Sequence, residues 1–126
     1  MRIIGNLISI FVAALVCSVL VGCERDAGPP PPLPAEQIAG EFDKGFKNAK
    51  QEVKDLAKKV VDALQAKDYP SAHQAVQQLS AAPGATKNQQ ILAARAFVTI
   101  IGLLQTAQSQ GDEKAATVLK TYQGTK

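Results

Sequence analysis

The chain has 126 residues, a formal net charge of +3 at pH 7 and 20% charged residues, a length that suits one small domain. It contains one histidine and two cysteines, so no histidine pair for a metal and no base with a positioned partner can be assembled. The serines lack a nucleophile-elbow context, and no glycine-rich phosphate loop is present. Basic residues alternate with acidic ones and are not interleaved with aromatic residues, which argues against nucleic-acid binding. We therefore expect no catalytic residues, no metal ligands, no cofactor and no nucleic-acid partner.

The N-terminus has the pattern of a secretory signal peptide. Arg2 provides the positive start, Ile3 to Val21 is an apolar run, and small residues precede a cut site. A bilayer span needs about 20 apolar residues, so an uncleaved signal anchor is one alternative, and a cytosolic protein with an apolar N-terminus is another. In both membrane interpretations Arg2 stays inside, which places residues 24–126 outside the cytoplasm.

The end of this run, Leu20-Val21-Gly22-Cys23, resembles the lipobox of bacterial lipoprotein precursors. The resemblance implies that residues 1–22 are removed and that Cys23 is the lipid attachment site, carrying two or three palmitate-type acyl chains. In that family a glutamate after the cysteine, here Glu24, favours export to the outer membrane. It implies an envelope lipoprotein at the periplasmic face of the outer membrane. No cysteine would remain for a disulfide.

Residues 23–34 are predicted to form the lipidated N-terminus and a proline-rich linker. Five prolines in this segment favour polyproline II and forbid a helix. At about 3.1 Å per residue, the linker could hold a domain about 30 Å from the lipid. A proline-rich ligand for a groove-type partner is the alternative interpretation.

Residues 35–126 are predicted to form an all-α domain of four helices. Apolar residues recur at steps of three and four from Ile38 to Leu64, which predicts one amphipathic helix over residues 35–66, about 45 Å long. The spacing is close to a heptad seam, so copies of this helix could pair and give a homo-oligomer.

Helix-start and helix-end signals divide the rest of the domain. Asp68-Tyr69-Pro70 predicts a new helix over Pro70–Ala81, and residues 82–85 predict a break. Thr86 and Gln89 have the spacing of a capping box that opens a third helix, whose apolar composition predicts the central and most buried position. Gly111-Asp112 ends it and caps a fourth helix from Glu113 to about Tyr122. Alternating β-branched residues are missing, so no sheet is expected.

A shift of 43 residues aligns residues 67–72 with residues 110–115, which predicts one helical hairpin repeated twice. Ala72, Val76 and Leu79 resemble the small-large-large positions of the second helix of tetratricopeptide repeats, and Pro83 lies near that family's closing proline. The aromatic and Leu-Gly signature of the first helix is absent, and the period exceeds that family's 34. The resemblance implies two stacked antiparallel hairpins.

These observations favour a lipid-anchored, non-enzymatic interaction module that presents a helical groove to an envelope protein or peptide. Tyr69, His73 and Tyr122 are the candidates for lining a partner-facing groove. The alternative for the two tyrosines is a half-buried residue at a helix boundary, and for His73 it is a solvated or partly packed histidine. Two other functions stay open: a self-associating structural lipoprotein, and a carrier of a small apolar ligand held between helices.

Overall fold

The computed structural model describes residues 30–125, and within this range it contains five helices and no strand. The helices are α1 (Ala35–Gly45), α2 (Gln51–Gln65), α3 (Tyr69–Ala81), α4 (Lys87–Ser109) and α5 (Glu113–Gly124). The predicted all-α class is confirmed for this part of the chain. The predicted signal peptide and Cys23 lie outside the described residues.

The prediction of one helix over residues 35–66 is wrong, because the chain turns between Gly45 and Gln51. In the turn, the Phe46 amide donates to the Phe42 carbonyl at 2.9 Å, and the Ala49 amide donates to the Phe46 carbonyl at 3.1 Å. The turn lets α1 leave the line of α2 and pack on α4. A Cβ atom at Gly45 would lie 2.5 Å from the Leu92 side chain, so the missing side chain permits this close approach.

The other predicted helix starts are confirmed by their caps. The Asp68 side chain accepts from the Ser71 amide at 3.2 Å, and the Asp112 side chain accepts from the Ala115 amide at 3.1 Å. At the start of α4 the capping box is complete, since Thr86 and Gln89 each accept from the other's backbone amide. Each side chain satisfies amides that the first helical turn leaves without a partner.

The helices pack in chain order, α2 on α3, α3 on α4 and α4 on α5, while α1 lies on α4 and also touches α2. Short turns join α2 to α3 and α4 to α5, which makes the two helices of each pair antiparallel neighbours. The core lies between these layers. Its largest fully buried side chains are Leu33, Ile38, Val53, Val60, Val76, Leu79, Ile100 and Leu104.

Helix α4 occupies the predicted central position, but only one side of it is buried. Ala93, Ala96, Ile100 and Leu104 are inaccessible, whereas Ile91 is 44% exposed and Val98 is 39% exposed. The most apolar 18 consecutive residues of α4 have a mean hydropathy of 1.4, so the helix is long and apolar enough to cross a bilayer, a criterion that the core helix of a soluble protein meets as well. The exposed apolar face is therefore a surface feature that needs its own explanation.

The turn between α2 and α3 recurs between α4 and α5. Each turn has a residue with positive φ, an amide that donates back to a buried-side alanine carbonyl, and an aspartate N-cap. The matching residues are Lys67 and Gly111 (φ 56° and 93°), Ala63 and Ala107, and Asp68 and Asp112. The turns thus repeat at 44 residues, whereas the buried pairs Ala72/Ala115 and Val76/Leu119 repeat at the predicted 43. Counted from its N-cap aspartate, the buried face of α5 therefore begins one residue earlier than the buried face of α3.

The proline-rich segment makes contact with the domain before α1 begins. Leu33 is 2% exposed, its amide donates to the Arg95 carbonyl at 3.4 Å, and its carbonyl accepts from the Thr99 hydroxyl. Arg95 Nε donates to the Pro31 carbonyl at 3.1 Å. The predicted linker over residues 23–34 therefore meets the outer side of α4 at its last four residues.

Candidate functional site

The break between α1 and α2 opens a groove of about 450 Å³ between the two helices. Ala39, Phe42 and Asp43 of α1 continue into Phe46, the first residue of the turn, and these four positions have the i, i+3, i+4, i+7 spacing of one helical face. The four lining residues of α2 have the same spacing. The lining residues are Ala39, Phe42 and Asp43 of α1, Phe46 and Lys47 of the turn, and Lys54, Ala57, Lys58 and Val61 of α2. Two matched faces side by side are what a third helix needs as a cradle.

The floor of the groove is apolar and well ordered by packing. Phe42 and Phe46 are 2% and 3% exposed, and their rings meet edge to face with centroids 5.0 Å apart. Phe42, Phe46 and Ala57 are already buried within the chain, so the apolar surface that a partner could still cover comes from Ala39, Val61 and the lysine side chains. Covering that surface would exclude water and supply binding energy.

Three lysines and one carboxylate line the groove, Lys47, Lys54 and Lys58 with Asp43, and because Lys58 is paired with Asp62, it is Lys47 and Lys54 that give the rim its basic character. Lys58 Nζ donates to Asp62 at 2.6 Å, and this hydrogen bond raises the pKa of Lys58 above its ordinary value. Lysines beside an apolar floor favour an acidic partner over a basic one, because a basic partner would meet like charge.

The residues predicted to line a partner-facing groove occupy two different places. His73 and Tyr122 come together with Phe97, and the three rings join α3, α4 and α5 with centroids 5.4 to 6.1 Å apart. Tyr69 lines a separate cleft with Val61 and Leu103. His73 is only 7% exposed, so its ring offers little surface to another molecule.

His73 is buried without a hydrogen-bond partner for Nε2 among residues 30–125. Burial disfavours the charged imidazolium and lowers the pKa of His73 below its ordinary value. The unfolded chain therefore binds a proton at a higher pH than the folded chain does. The folded state therefore favours the neutral imidazole over the protonated one.

Neutral His73 contributes to the free energy of unfolding. We expect this contribution to be complete above the ordinary histidine pKa of about 6.5 and to be lost as the pH drops through the lower folded-state pKa. His73→Leu, which has no titratable group, should lack this component. Urea denaturation of both proteins at pH 8 and pH 5.5 measures it. Equal losses of stability in the two proteins between these pH values would contradict the assignment to His73.

Sequence reasoning missed the groove because it assigned Phe42 and Phe46 to the apolar stripe of one continuous helix. Gly45, with its low helix propensity, was the available signal for a break, and the lysines at 47, 54 and 58 marked one side of it. Within residues 30–125 no group of three His, Cys, Asp or Glu side chains could hold a metal ion.

No family model matches the chain, and neither the curated proteins nor the solved structures contain a match to it. Function is therefore inferred from the chemistry of the site and from the N-terminal pattern.

Proposed function

We propose that the chain is a bacterial envelope lipoprotein, anchored through Cys23, whose domain is a non-enzymatic protein-interaction module. Its groove between α1 and α2 binds a short helical segment of another envelope protein, apolar on one face and acidic at the edges. The observation that carries this proposal is the pair of matched helical faces around an apolar floor with a lysine rim. The Leu20-Val21-Gly22-Cys23 pattern and Glu24 support a position at the periplasmic face of the outer membrane.

The groove dimensions favour a helix of about two turns. From Lys54 to Val61 the lining of α2 extends about 10 Å along its axis, the length of about two helical turns. Helices that bind in grooves do so through anchors at the same i, i+3, i+4, i+7 spacing. The lysines would select an acidic partner and speed its association.

The arrangement of the domain supports an interaction role of this kind. The pairs α2–α3 and α4–α5 share the same turn hydrogen bonds, so we propose that they are two copies of one hairpin, stacked as in tetratricopeptide-type proteins. Stacked hairpins commonly leave an extended face for a peptide or helix.

Two alternatives have different support. The groove volume lies within the range of about 300–1,000 Å³ that is typical of small-ligand sites, which keeps carriage of an apolar ligand as the second candidate. The coiled-coil hypothesis depended on one continuous helix over residues 35–66, and that helix is interrupted. Three residues of its seam are buried within the same chain and so cannot pair with a second copy: Phe42, Phe46 and Val53.

Charge reversal at the rim tests the proposal. The probes are two synthetic amphipathic peptides with the same apolar positions, one flanked by glutamates and the other by lysines. We expect the full chain to prefer the glutamate peptide. In K47E/K54E that affinity should fall by about tenfold or more, which corresponds to about 1.4 kcal/mol.

The matched control is K114E/K120E, which reverses two exposed charges on α5 and leaves the groove unchanged. Fluorescence anisotropy of the labelled peptides measures all six combinations of the three proteins with the two peptides. If K114E/K120E weakens binding as much as K47E/K54E does, the attraction is a general effect of net charge and the groove is not the site. If neither peptide binds the parent chain, the groove is likewise not a site for such helices.

A further inference from the structure

The outer face of α4 carries both of the exposed large hydrophobic residues in the described part of the chain. Ile91 and Val98, the large hydrophobic residues with the greatest exposure, lie two helical turns apart on this face, with Ala94, Ile101 and Gly102 beside them. From Ile91 to Gln105 the face is about 21 Å long. Helix α4 carries Lys87 and Arg95 and no acidic side chain. An apolar strip with basic and no acidic groups is suited to the interface of a phospholipid bilayer.

The end of the proline-rich segment is bound along this same face. Pro32, Leu33 and Pro34 line a shallow cleft with Val98, Ile101 and Gly102. Arg95 and Thr99 hold the carbonyls of Pro31 and Leu33, so the segment is attached to α4 by its backbone. The direction from which the N-terminal part of the chain approaches the domain is thereby set by α4.

We propose that the outer face of α4 rests on the bilayer to which Cys23 anchors the chain. This inference depends on the proposed anchor. From Cys23 to Pro31 the chain has eight residues, which reach at most about 29 Å when fully extended. A domain of this size has a radius of gyration of about 12 Å and is therefore about 32 Å across.

These lengths exclude one orientation of the domain. To bring the side opposite α4 to the bilayer, the chain would have to run from α4 around half the circumference, a path of about 50 Å for a domain of this size. The reach of eight residues is shorter than that path. The side of the domain that carries α4 therefore stays near the anchor, and contact with the lipid would cover its exposed isoleucine and valine.

The absence of tryptophan from the 126 residues makes a direct test possible. Val98→Trp places a single tryptophan on the α4 face, and Gln78→Trp places one at an exposed position of α3 as the matched control. Both full chains are purified with their acyl groups and reconstituted in vesicles of zwitterionic and anionic phospholipids, with and without bromine on the acyl chains. We expect bromine to quench the fluorescence of the Val98→Trp protein and to leave that of the Gln78→Trp protein unchanged.

A second variant tests the role of the bound segment. R95A/T99V in the Val98→Trp background removes both side-chain bonds to residues 31–33, and it should reduce quenching of the tryptophan at position 98 while the protein still floats with the vesicles. An unquenched tryptophan at position 98, or equal quenching at positions 98 and 78, in protein that floats with the vesicles overturns the inference and leaves the anchor intact. That result would also be found if another protein covered the α4 face. Failure of the parent chain to float would instead overturn the anchor.

Discussion

We expect the replacement of Cys23 by serine to abolish acylation of the chain. In a bacterial host supplied with labelled palmitate, we expect the parent to incorporate label and C23S to incorporate none. The physical reason is that only a thiol at this position can form the thioether of the lipid. The mature parent should begin at Cys23 and carry two or three acyl chains, enough to hold a protein on a bilayer, whereas one chain binds only marginally.

Cys17 provides the matched control, because it is the other cysteine of the chain and lies inside the segment predicted to be removed. C17S should be processed and labelled like the parent. Intact-mass measurement of the membrane-extracted protein reads the N-terminus directly. An unmodified chain that retains Met1 in the parent would contradict the lipoprotein proposal and favour a spanning signal anchor.

Leu104→Ala should destabilise the domain by about 2–5 kcal/mol, the usual cost of a truncated, fully buried leucine. Leu104 is 0% exposed and lies on α4, the helix that contacts α1, α3 and α5. Three packed neighbours hold the walls of the resulting cavity apart, so collapse around it is limited. Because domains of this size are stable by about 5–15 kcal/mol, the loss is a large share of the total.

Val98→Ala is the comparison on the same helix, since Val98 is 39% exposed and its truncation leaves no enclosed cavity. We expect a cost of less than about 1 kcal/mol for it. Urea denaturation followed by circular dichroism gives both values at a pH above 7, where His73 is neutral in both states. A cost for Leu104→Ala no larger than that for Val98→Ala would show that α4 is not packed as described.

Helix boundaries that depend on neighbouring residues could be predicted well. Asp68, Thr86 and Asp112 each bond an amide three residues ahead, and such bonds are present in the sequence as a residue type at a fixed spacing. The all-α class followed from the continuous helical periodicity. A recurrence was visible too, although the turns before α3 and α5 recur at 44 residues and only buried pairs such as Ala72/Ala115 and Val76/Leu119 keep the predicted 43.

The break after Gly45 could not be predicted by periodicity. Phe46 is buried and Ala49 is half-buried in the turn, so apolar residues continue at steps of three and four through a segment that is not helical. A loop about as long as one helical turn preserves the spacing of the pattern it interrupts. What ends α1 is contact with α4, where Gly45 meets Leu92 and its carbonyl accepts from Gln89 Nε2 at 3.3 Å.

The candidate groove was hidden for the same reason. Its floor residues have the composition of a core, and only the separation of α1 from α2 turns them into the lining of a surface feature. Tyr69, His73 and Tyr122 were attractive as polar aromatics near helix ends. His73 proved to be an interior residue because α4 and α5 both pack against it.

The sequence by itself determined the helical class, the starts of α3, α4 and α5, and the N-terminal pattern that predicts a lipid anchor. Each of these depends on residues within a few positions of one another. Tertiary structure alone decided the position of α1, the groove beside it, and the binding of residues 31–33 along α4. These features arise from contacts between residues far apart in the chain, such as Gly45 with Leu92 and Leu33 with Thr99, and a local pattern carries no information about which distant surfaces will meet.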